Sequence, residues 1–437
     1  MIQIFKNHIE KQLPFLKDKK LLIAISGGLD SVVLTHLCHE IGLEISLAHC
    51  NFNLRDKESD GDETFVVALA QQLGLEVFTQ HFDTESYAKT QKLSIQVAAR
   101  ELRYNWFKDL SKQLQFDYIL TAHHADDNLE TLLINLTRGT GIEGLTGIPE
   151  LNETTVRPLL PYSRETIEHY AVTNAIEWRE DSSNASTKYL RNKLRHDVIP
   201  LLKDINPQLL KGLENTLQHL KDTVDIVEES VKAVLKKAIK EETETTIIYN
   251  VSEFKKLQNP NAYLYQIFKE YGFTAFNDIY NLLDAQSGKQ VFSKTHRLIK
   301  NRGYLILTVI TNREDNSIMI SEADTLVENN LGTITFKEVN EVSKSNKNEI
   351  YVDADRLQFP LEIRSHKDGE LFYPMGMQGK KKINKFLKDE KLSLLDKEKC
   401  LLLYSNNEVV WVINYRADNR FKVTEKTNRI LKITLQH

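Results

Sequence analysis

Up to residue 200, short apolar runs alternate with longer stretches whose apolar residues recur at three- and four-residue steps. Residues 21–26 (LLIAIS), 44–50 (EISLAHC), 76–82 (EVFTQHF) and 118–124 (YILTAHH) read as strands. Residues 31–41, 62–73 and 94–114 read as amphipathic helices. Strands alternating with helices predict an α/β domain built on a Rossmann-like, doubly wound parallel sheet. Such sheets take ligands at the carboxyl ends of their strands. The polar ends of three candidate strands, SGGLDS, HCNFNLR and HHADDN, are therefore expected on one crevice.

After Pro200 the pattern changes. Leu209, Leu210, Leu213, Leu217, Leu220, Val224 and Val227 mark a long amphipathic helix. Helical and mixed segments continue to about residue 311 and predict a mostly helical middle domain. The stretch TNREDNSIMISEADTLVENNLG then leads into a small α+β unit with compact apolar strands such as EVVWVIN. The expected domains are 1–205, 206–315 and 330–437.

The length of 437 residues exceeds one ordinary core, in keeping with this division. The net charge is only −4, so any nucleic-acid surface must be a local patch. The three cysteines, Cys38, Cys50 and Cys400, form no C-x-x-C pair, which speaks against a disulfide framework or a cysteine-only zinc site. The first twenty residues break their apolar positions with charges, unlike a signal peptide. No apolar run is long enough to span a bilayer. A cytoplasmic protein with no membrane partner is expected.

Residues 26–31, SGGLDS, lie at the seam between the first strand and its helix. A helix start leaves backbone N–H groups unpaired, and its dipole adds positive potential there. Gly27 and Gly28 let the backbone turn sharply and approach a ligand closely. Ser26 and Ser31 add hydroxyl donors around Leu29. This lining suits a phosphate or pyrophosphate. Asp30 would repel one unless a Mg²⁺ lay between them. A Ser/Gly turn with a helix cap is the plain alternative. No G-x-x-x-x-G-K-[ST] stretch is present, so the site is not of the Walker type.

TAHHADDNLET follows a candidate strand and opens a helix. Asp126 and Asp127 should face the phosphate loop and, with phosphate oxygens, make a cradle for Mg²⁺. Acids complementing a helix dipole are the alternative. His123 and His124 are placed to hydrogen-bond nucleotide or substrate, or to move protons. In QVAARELRY, Arg100 and Arg103 share a helix face and could serve an adenylate or an RNA phosphate, or simply face solvent. Lys188, Arg191, Lys193 and Arg195 near Tyr189 suit an RNA backbone or a charged helix exterior. Residues 379–391, GKKKINKFLKDEK, hold six lysines against two acids and should attract phosphates.

In this setting SGGLDS resembles the loop of the pyrophosphate-loop ATP pyrophosphatases. That likeness implies an adenine-nucleotide α-hydrolase-like fold, ATP as substrate and transfer of AMP to a substrate oxygen. SGGLDS, HCNFNLR, QVAARELRY, HHADDNLET, RGTGIEGL and EDSSNASTKYLRNKLRHDVIP also occur in the order found in tRNA(Ile)-lysidine synthetases. YPMGMQGKKKINKFLKDEKL and VVWVINYRADNRFKV are similar to that family's tRNA-binding C-terminal domain. The resemblance implies ligation of L-lysine to cytidine 34 in the CAU anticodon of isoleucine tRNA. It implies Asp30, Asp127 and Arg100 as catalytic residues, and Ser26, Gly27, Gly28, Leu29, Asp30, Ser31 and His123 around ATP. Asp30, Asp126 and Asp127 would hold Mg²⁺. Arg191, Arg195, Lys380, Lys381, Lys382 and Lys385 would contact tRNA, as would the middle domain, and a homodimer stays open.

The chain departs from the family at Phe52, where a second histidine is usual, so no proton transfer is assigned there. Asn128 stands for a common glutamine, and DGELFYPMG lacks the usual arginine. The rival readings are a tRNA thiolase of the same superfamily and a non-catalytic RNA- or nucleotide-binding module. The absence of cysteine pairs speaks against the first, and intact Asp30, Asp126 and Asp127 against the second.

Overall fold

The computed structural model describes residues 1–54, 57–180, 190–310, 317–329, 331–343 and 346–436. It forms two compact units, Met1–Glu228 and Glu229–His437.

The first unit is built on strands β1 (Leu21–Ala24), β2 (Ile45–Asn51), β3 (Val77–His81), β4 (Tyr118–Leu120), β5 (Leu151–Asn152) and β6 (Thr155–Val156). Their order across the sheet is β3-β2-β1-β4-β6-β5. All pairings are parallel except the closing β5–β6 hairpin. The helices are α1 (Ile2–Gln12), α2 (Leu29–Glu40), α3 (Lys57–Leu73), α4 (Thr84–Gln91), α5 (Ile95–Leu114), α6 (Ala125–Arg138) and α7 (Arg164–Thr173).

The central strands β1 and β4 are covered on both faces, which is why they read as short apolar runs, whereas β3 at the edge is only partly covered. Leu21 and Ile23 enter one core with Phe5, Val33, Leu37 and Ile167. Leu22, between them, enters the opposite core with Ala48, Phe107, Leu110 and Ile119. This is the two-residue alternation of a strand between two helical layers. The doubly wound parallel sheet expected from the sequence is present. The chain runs outward from β1 to β2 and β3, then returns to place β4 on the other side of β1. The switch point of the fold therefore lies between β1 and β4.

Helix α4 escaped the periodicity because it buries only Thr84 and Ala88, although Asp83 caps it by accepting from the Ser86 amide. The glycine-rich segment after α6 is docked by two asparagines. Asn128 Oδ1 accepts from the Ile148 amide at 2.7 Å, and Asn135 Nδ2 donates to the Gly144 carbonyl at 2.8 Å. Gly147 has φ of 77°, and a Cβ there would stand 2.2 Å from Asn128 Oδ1. Further along, α8 (Leu190–Lys193) continues through a π-helical turn, Leu194–Val198, into α9 (Ile199–Ile205). Helix α10 (Leu209–Ala238) runs across the division between the units.

The middle of the chain is helical as expected, with α10, α11 (Val251–Lys255), α12 (Pro260–Phe268) and α13 (Phe276–Leu282). It also contains a five-stranded antiparallel sheet: β7 (Ile239–Glu242), β8 (Thr246–Asn250), β9 (Gln290–Phe292), β10 (His296–Asn301) and β11 (Tyr304–Val309). Phe254, Leu264, Phe268, Leu298 and Leu305 form the core between helices and sheet. Among the described residues the C-terminal part has, besides a two-stranded ribbon, one five-stranded and one four-stranded sheet. They share a core of Ile334, Ile350, Ile363, Leu403, Trp411 and Ile433, the sandwich solution for two half-apolar sheets. Two short helices, α14 (Ile383–Asp389) and α15 (Leu394–Lys399), complete it. Arg297 of β10 holds Glu398 of α15 through two hydrogen bonds, at 3.0 and 2.5 Å.

Gly147→Ala must displace Asn128 and break its bond to Ile148, besides straining a left-handed backbone. We expect a loss of about 1–3 kcal/mol in chemical denaturation. An unchanged midpoint would show that the segment is not held by Asn128.

Candidate active site at the strand switch point

After β1 the chain bends through residues 25–28 into α2. Gly27 takes φ of 88°, a left-handed conformation open to glycine. Ser31 Oγ organises the bend: it accepts from the Ser26 amide at 3.2 Å and donates to the Gly28 carbonyl at 3.0 Å. Ser26 Oγ accepts from the Gly28 amide at 3.3 Å. Gly28 is the N-cap of α2 and supplies no side-chain cap. The first-turn amides are thus left for a ligand, and the plain capped-turn alternative loses its cap. From β2, buried His49 hydrogen-bonds the Ile25 carbonyl through Nδ1 at 3.0 Å, and its burial pushes its pKa down. The Arg179 amide donates to the Gly27 carbonyl at 3.0 Å, while its guanidinium holds Asp62 of α3 at 2.6 Å.

Across the switch point, β4 leads into His124, the N-cap of α6. His124 and Asp127 form a reciprocal capping box, with the Asp127 carboxylate accepting from the His124 amide at 3.1 Å. The buried His124 ring lies between carboxylates: Nε2 is 3.7 Å from Asp30 and 3.4 Å from Asp127. Asp30 and Asp127 therefore meet over one imidazole. Asp30 Oδ2 is 3.4 Å from Arg164, whereas Oδ1 is buried with no hydrogen-bond partner. Burial raises the Asp30 pKa in spite of His124 and Arg164. Burial acts the same way on Asp127, but His124, His123 and Arg195 outweigh it and hold that carboxyl low.

The third acid, Asp126, also borders the His124 ring, its Oδ2 3.7 Å from Nδ1, but its hydrogen bonds run elsewhere. Asp126 accepts from Lys203 of α9 at 2.7 Å and from the Arg164 amide at 2.9 Å. The expectation that all three acids face the phosphate loop is thus not met for Asp126, which ties α6 to α7 and α9. Among the described residues no three potential ligands converge on a point. The orphaned Asp30 oxygen does suit Mg²⁺, which binds through one or two carboxylates together with substrate phosphates.

The basic run is also placed differently from an open RNA face. Arg195 bonds Glu130 at 2.6 Å and Asp127 at 3.1 Å. Arg191 reaches Glu130 at 3.0 Å and Thr131 at 2.9 Å. Lys188, Tyr189 and Arg55 of HCNFNLR lie outside the described residues. Glu130 itself is fully buried, and sequence reasoning missed it, although it lies three residues from Asp127 on one helix face. Arg164, Arg179 and Lys203 were also missed; their roles arise from tertiary contacts with no local signature.

His123 hydrogen-bonds Thr121 at 3.0 Å, and burial pushes its pKa down to about 4, so its ring is neutral at neutral pH. Arg100 of α5 lies over the Tyr104 ring, 4.9 Å from its centroid. In the second unit, Lys380, Lys382 and Lys385 are exposed, whereas Lys381 pairs with Asp389 at 2.7 Å.

Unpaired amides at a strand–helix bend, met by acids across the switch point of a parallel sheet, define a pyrophosphate-loop nucleotide enzyme. Residues 1–202 match the family described as the PP-loop domain, 241–310 the TilS substrate binding domain and 361–434 the TilS substrate C-terminal domain. The tRNA(Ile)-lysidine synthase of Parabacteroides distasonis is 38% identical over 438 residues, covering 99% of each chain. That of Bacteroides thetaiotaomicron is 38% identical over 430 residues, covering 97% of each. The chain belongs to the tRNA(Ile)-lysidine synthase family. Among solved structures, the U34-tRNA thiolase NcsA from Methanococcus maripaludis matches at 20% identity with a TM-score of 0.41, over 50% of this chain and 79% of that one.

Arg195→Ala would leave buried Glu130 with half its charge compensation. A loss of about 3–5 kcal/mol is expected in urea unfolding, with Arg195→Lys intermediate. Equal stability of Arg195→Ala and the parent would show that Arg191 alone suffices.

Proposed function

We propose that this protein joins L-lysine to C2 of cytidine 34 in the CAU anticodon of isoleucine tRNA at the expense of ATP. The product base is lysidine, which shifts codon recognition from AUG to AUA. One observation carries the reading: an uncapped bend leading into Asp30 faces Asp127 across the switch point, in a chain aligned over nearly its whole length with relatives of that name.

The chemistry has two displacements. The C2 oxygen of the cytidine attacks the α-phosphorus of ATP, forming an O–P bond as the α–β bridge breaks and pyrophosphate leaves. The neutral ε-amine of lysine then attacks C2. The C–O bond breaks, AMP departs with that electron pair, and the nitrogen loses a proton. An oxygen attached to AMP is a far better leaving group than a carbonyl oxygen.

In this reading the Gly27 amide, the first-turn amides of α2 and the Ser26 hydroxyl hold the phosphate tail and keep it in line for displacement, while Ser31 shapes the bend from within. Asp30 and Asp127 would hold Mg²⁺. When bound, the ion neutralises charge on the departing pyrophosphate. His123, neutral, hydrogen-bonds the nucleotide, and Arg100 opposes the charge of AMP. Exposed Lys380, Lys382 and Lys385 attract the tRNA backbone without reading sequence. Among the described residues no helix is long and apolar enough to cross a membrane. The reading places the reaction with the tRNA pool of the cytoplasm.

The direct test is mass spectrometry of unmodified isoleucine tRNA after incubation with ATP, Mg²⁺ and isotope-labelled lysine. Label is expected on one anticodon cytidine, with AMP release dependent on lysine. Release of AMP without incorporation, or with sulfur in place of lysine, contradicts the proposal. Asp30→Asn should lower lysine incorporation by about 100-fold or more. Glutamine at Lys380, Lys382 and Lys385 together should reduce the salt slope of tRNA binding by about 2–3. An unchanged slope would remove the patch from the tRNA surface.

A further inference from the structure

The mechanism leaves one constructed feature unused. Phe52 directly follows β2 and Phe82 directly follows β3, so both lie on the same carboxyl rim of the sheet as the Ser26–Gly28 bend and His123. Their rings stack, with centroids 5.7 Å apart and planes 21° from parallel. The guanidinium carbon of Arg103 also lies over the Phe52 ring, 5.1 Å from its centroid. Beneath Phe82 the series continues edge-on to Trp106 at 6.3 Å, then to buried Phe107 at 5.4 Å. A ladder of rings thus rises from the core and ends in an exposed arginine.

Its supports are rigid. Thr84 Oγ1 donates to the Phe52 carbonyl at 3.0 Å, and Asn53 Nδ2 to the Phe82 carbonyl at 3.3 Å. Asn51 Oδ1 accepts from the Asn53 amide at 3.0 Å, while Asn51 Nδ2 is held by Asp60 and Glu63. The inner rings serve the core. The outer pair is Phe52, half-buried, and Arg103, exposed, and among the described residues Arg103 makes no ion pair with a carboxylate.

We propose that Phe52 and Arg103 form a stacking platform for an unpaired base of the anticodon loop, next to the cytidine undergoing reaction. This rests on the functional reading above. Single-stranded RNA is held by stacking bases on aromatic rings and on guanidinium planes. Arginine adds attraction for the flanking phosphate. A platform beside the phosphate loop would hold the loop open and present the neighbouring cytidine to the reacting centre. Phe52 and Arg103 are positioning residues: they orient RNA and touch no reacting atom.

The experiment compares wild type, Phe52→Leu, Phe52→Tyr and Arg103→Gln on isoleucine tRNA. The same tRNA is also made with an abasic nucleotide on the 5′ or 3′ side of the modified cytidine. Phe52→Leu and Arg103→Gln should each raise KM for intact tRNA by about tenfold, with kcat and ATP affinity near the parent values, while Phe52→Tyr behaves as wild type. On one of the two abasic tRNAs, wild type should show the same increase and the variants none beyond it. An unchanged KM on intact tRNA, or an equal increase on all three RNAs, overturns the platform. Arg103→Gln, at an exposed position, keeps the test valid if Phe52→Leu fails to fold. If wild type transfers no lysine, the functional reading fails instead. Anisotropy binding of an anticodon stem–loop to wild type and Arg103→Gln then judges the platform separately, and equal affinities overturn it.

Discussion

The amides in the first turn of α2 have no partners within the helix, and Gly28 offers no side chain to cap them. Much of the first unit follows from that shortfall. β1 is buried on both faces, so the bend after it is held in position by two cores. Ser31 fastens the bend from inside the helix, His49 from the neighbouring strand and Arg179 from the segment after α7. What remains is a fixed concavity of N–H donors at the one place where a doubly wound sheet opens a crevice. An anion is the natural complement, and preorganised donors cost no rearrangement when charge develops.

The acids opposite need a different kind of support. Carboxylates drawn out of water are held here by groups placed around α6: the His124 amide on Asp127, Arg195 bridging Asp127 to Glu130, Arg191 on Glu130 and Lys203 on Asp126. Such pairs do more to fix geometry than to add net stability, because desolvation offsets their attraction. Two buried oxygens in this frame lack a hydrogen bond: Glu130 Oε2, which Arg191 still pairs at 3.0 Å, and Asp30 Oδ1. The least satisfied group in the frame is thus the one beside the phosphate loop, where a cation bridging to phosphate oxygens would complete it.

The parts of this arrangement that were legible in the sequence are those whose signal is local. Strands β1 and β4 appear as apolar runs because both their faces are covered, and SGGLDS declares itself because bend, donors and helix start lie within six residues. Asp126 and Asp127 misled by adjacency: neighbours on a helix point about 100° apart, so one faces the crevice and the other α9. Arg191 and Arg195 read as a surface charge run because their partner, Glu130, lies more than sixty residues earlier. The sheet of the middle domain was hidden by brevity, since strands such as Gln290–Phe292 are too short for alternation to register.

The account turns on a triphosphate seated at the β1–α2 bend, and a crystal structure with Mg²⁺ and a non-hydrolysable ATP analogue tests this most directly. The expected result is phosphate oxygens on the Gly27 amide and the first-turn amides of α2, with Asp30 and Asp127 engaged by the ion. A phosphate tail bound away from that bend, or an ion that leaves both acids untouched, would contradict it.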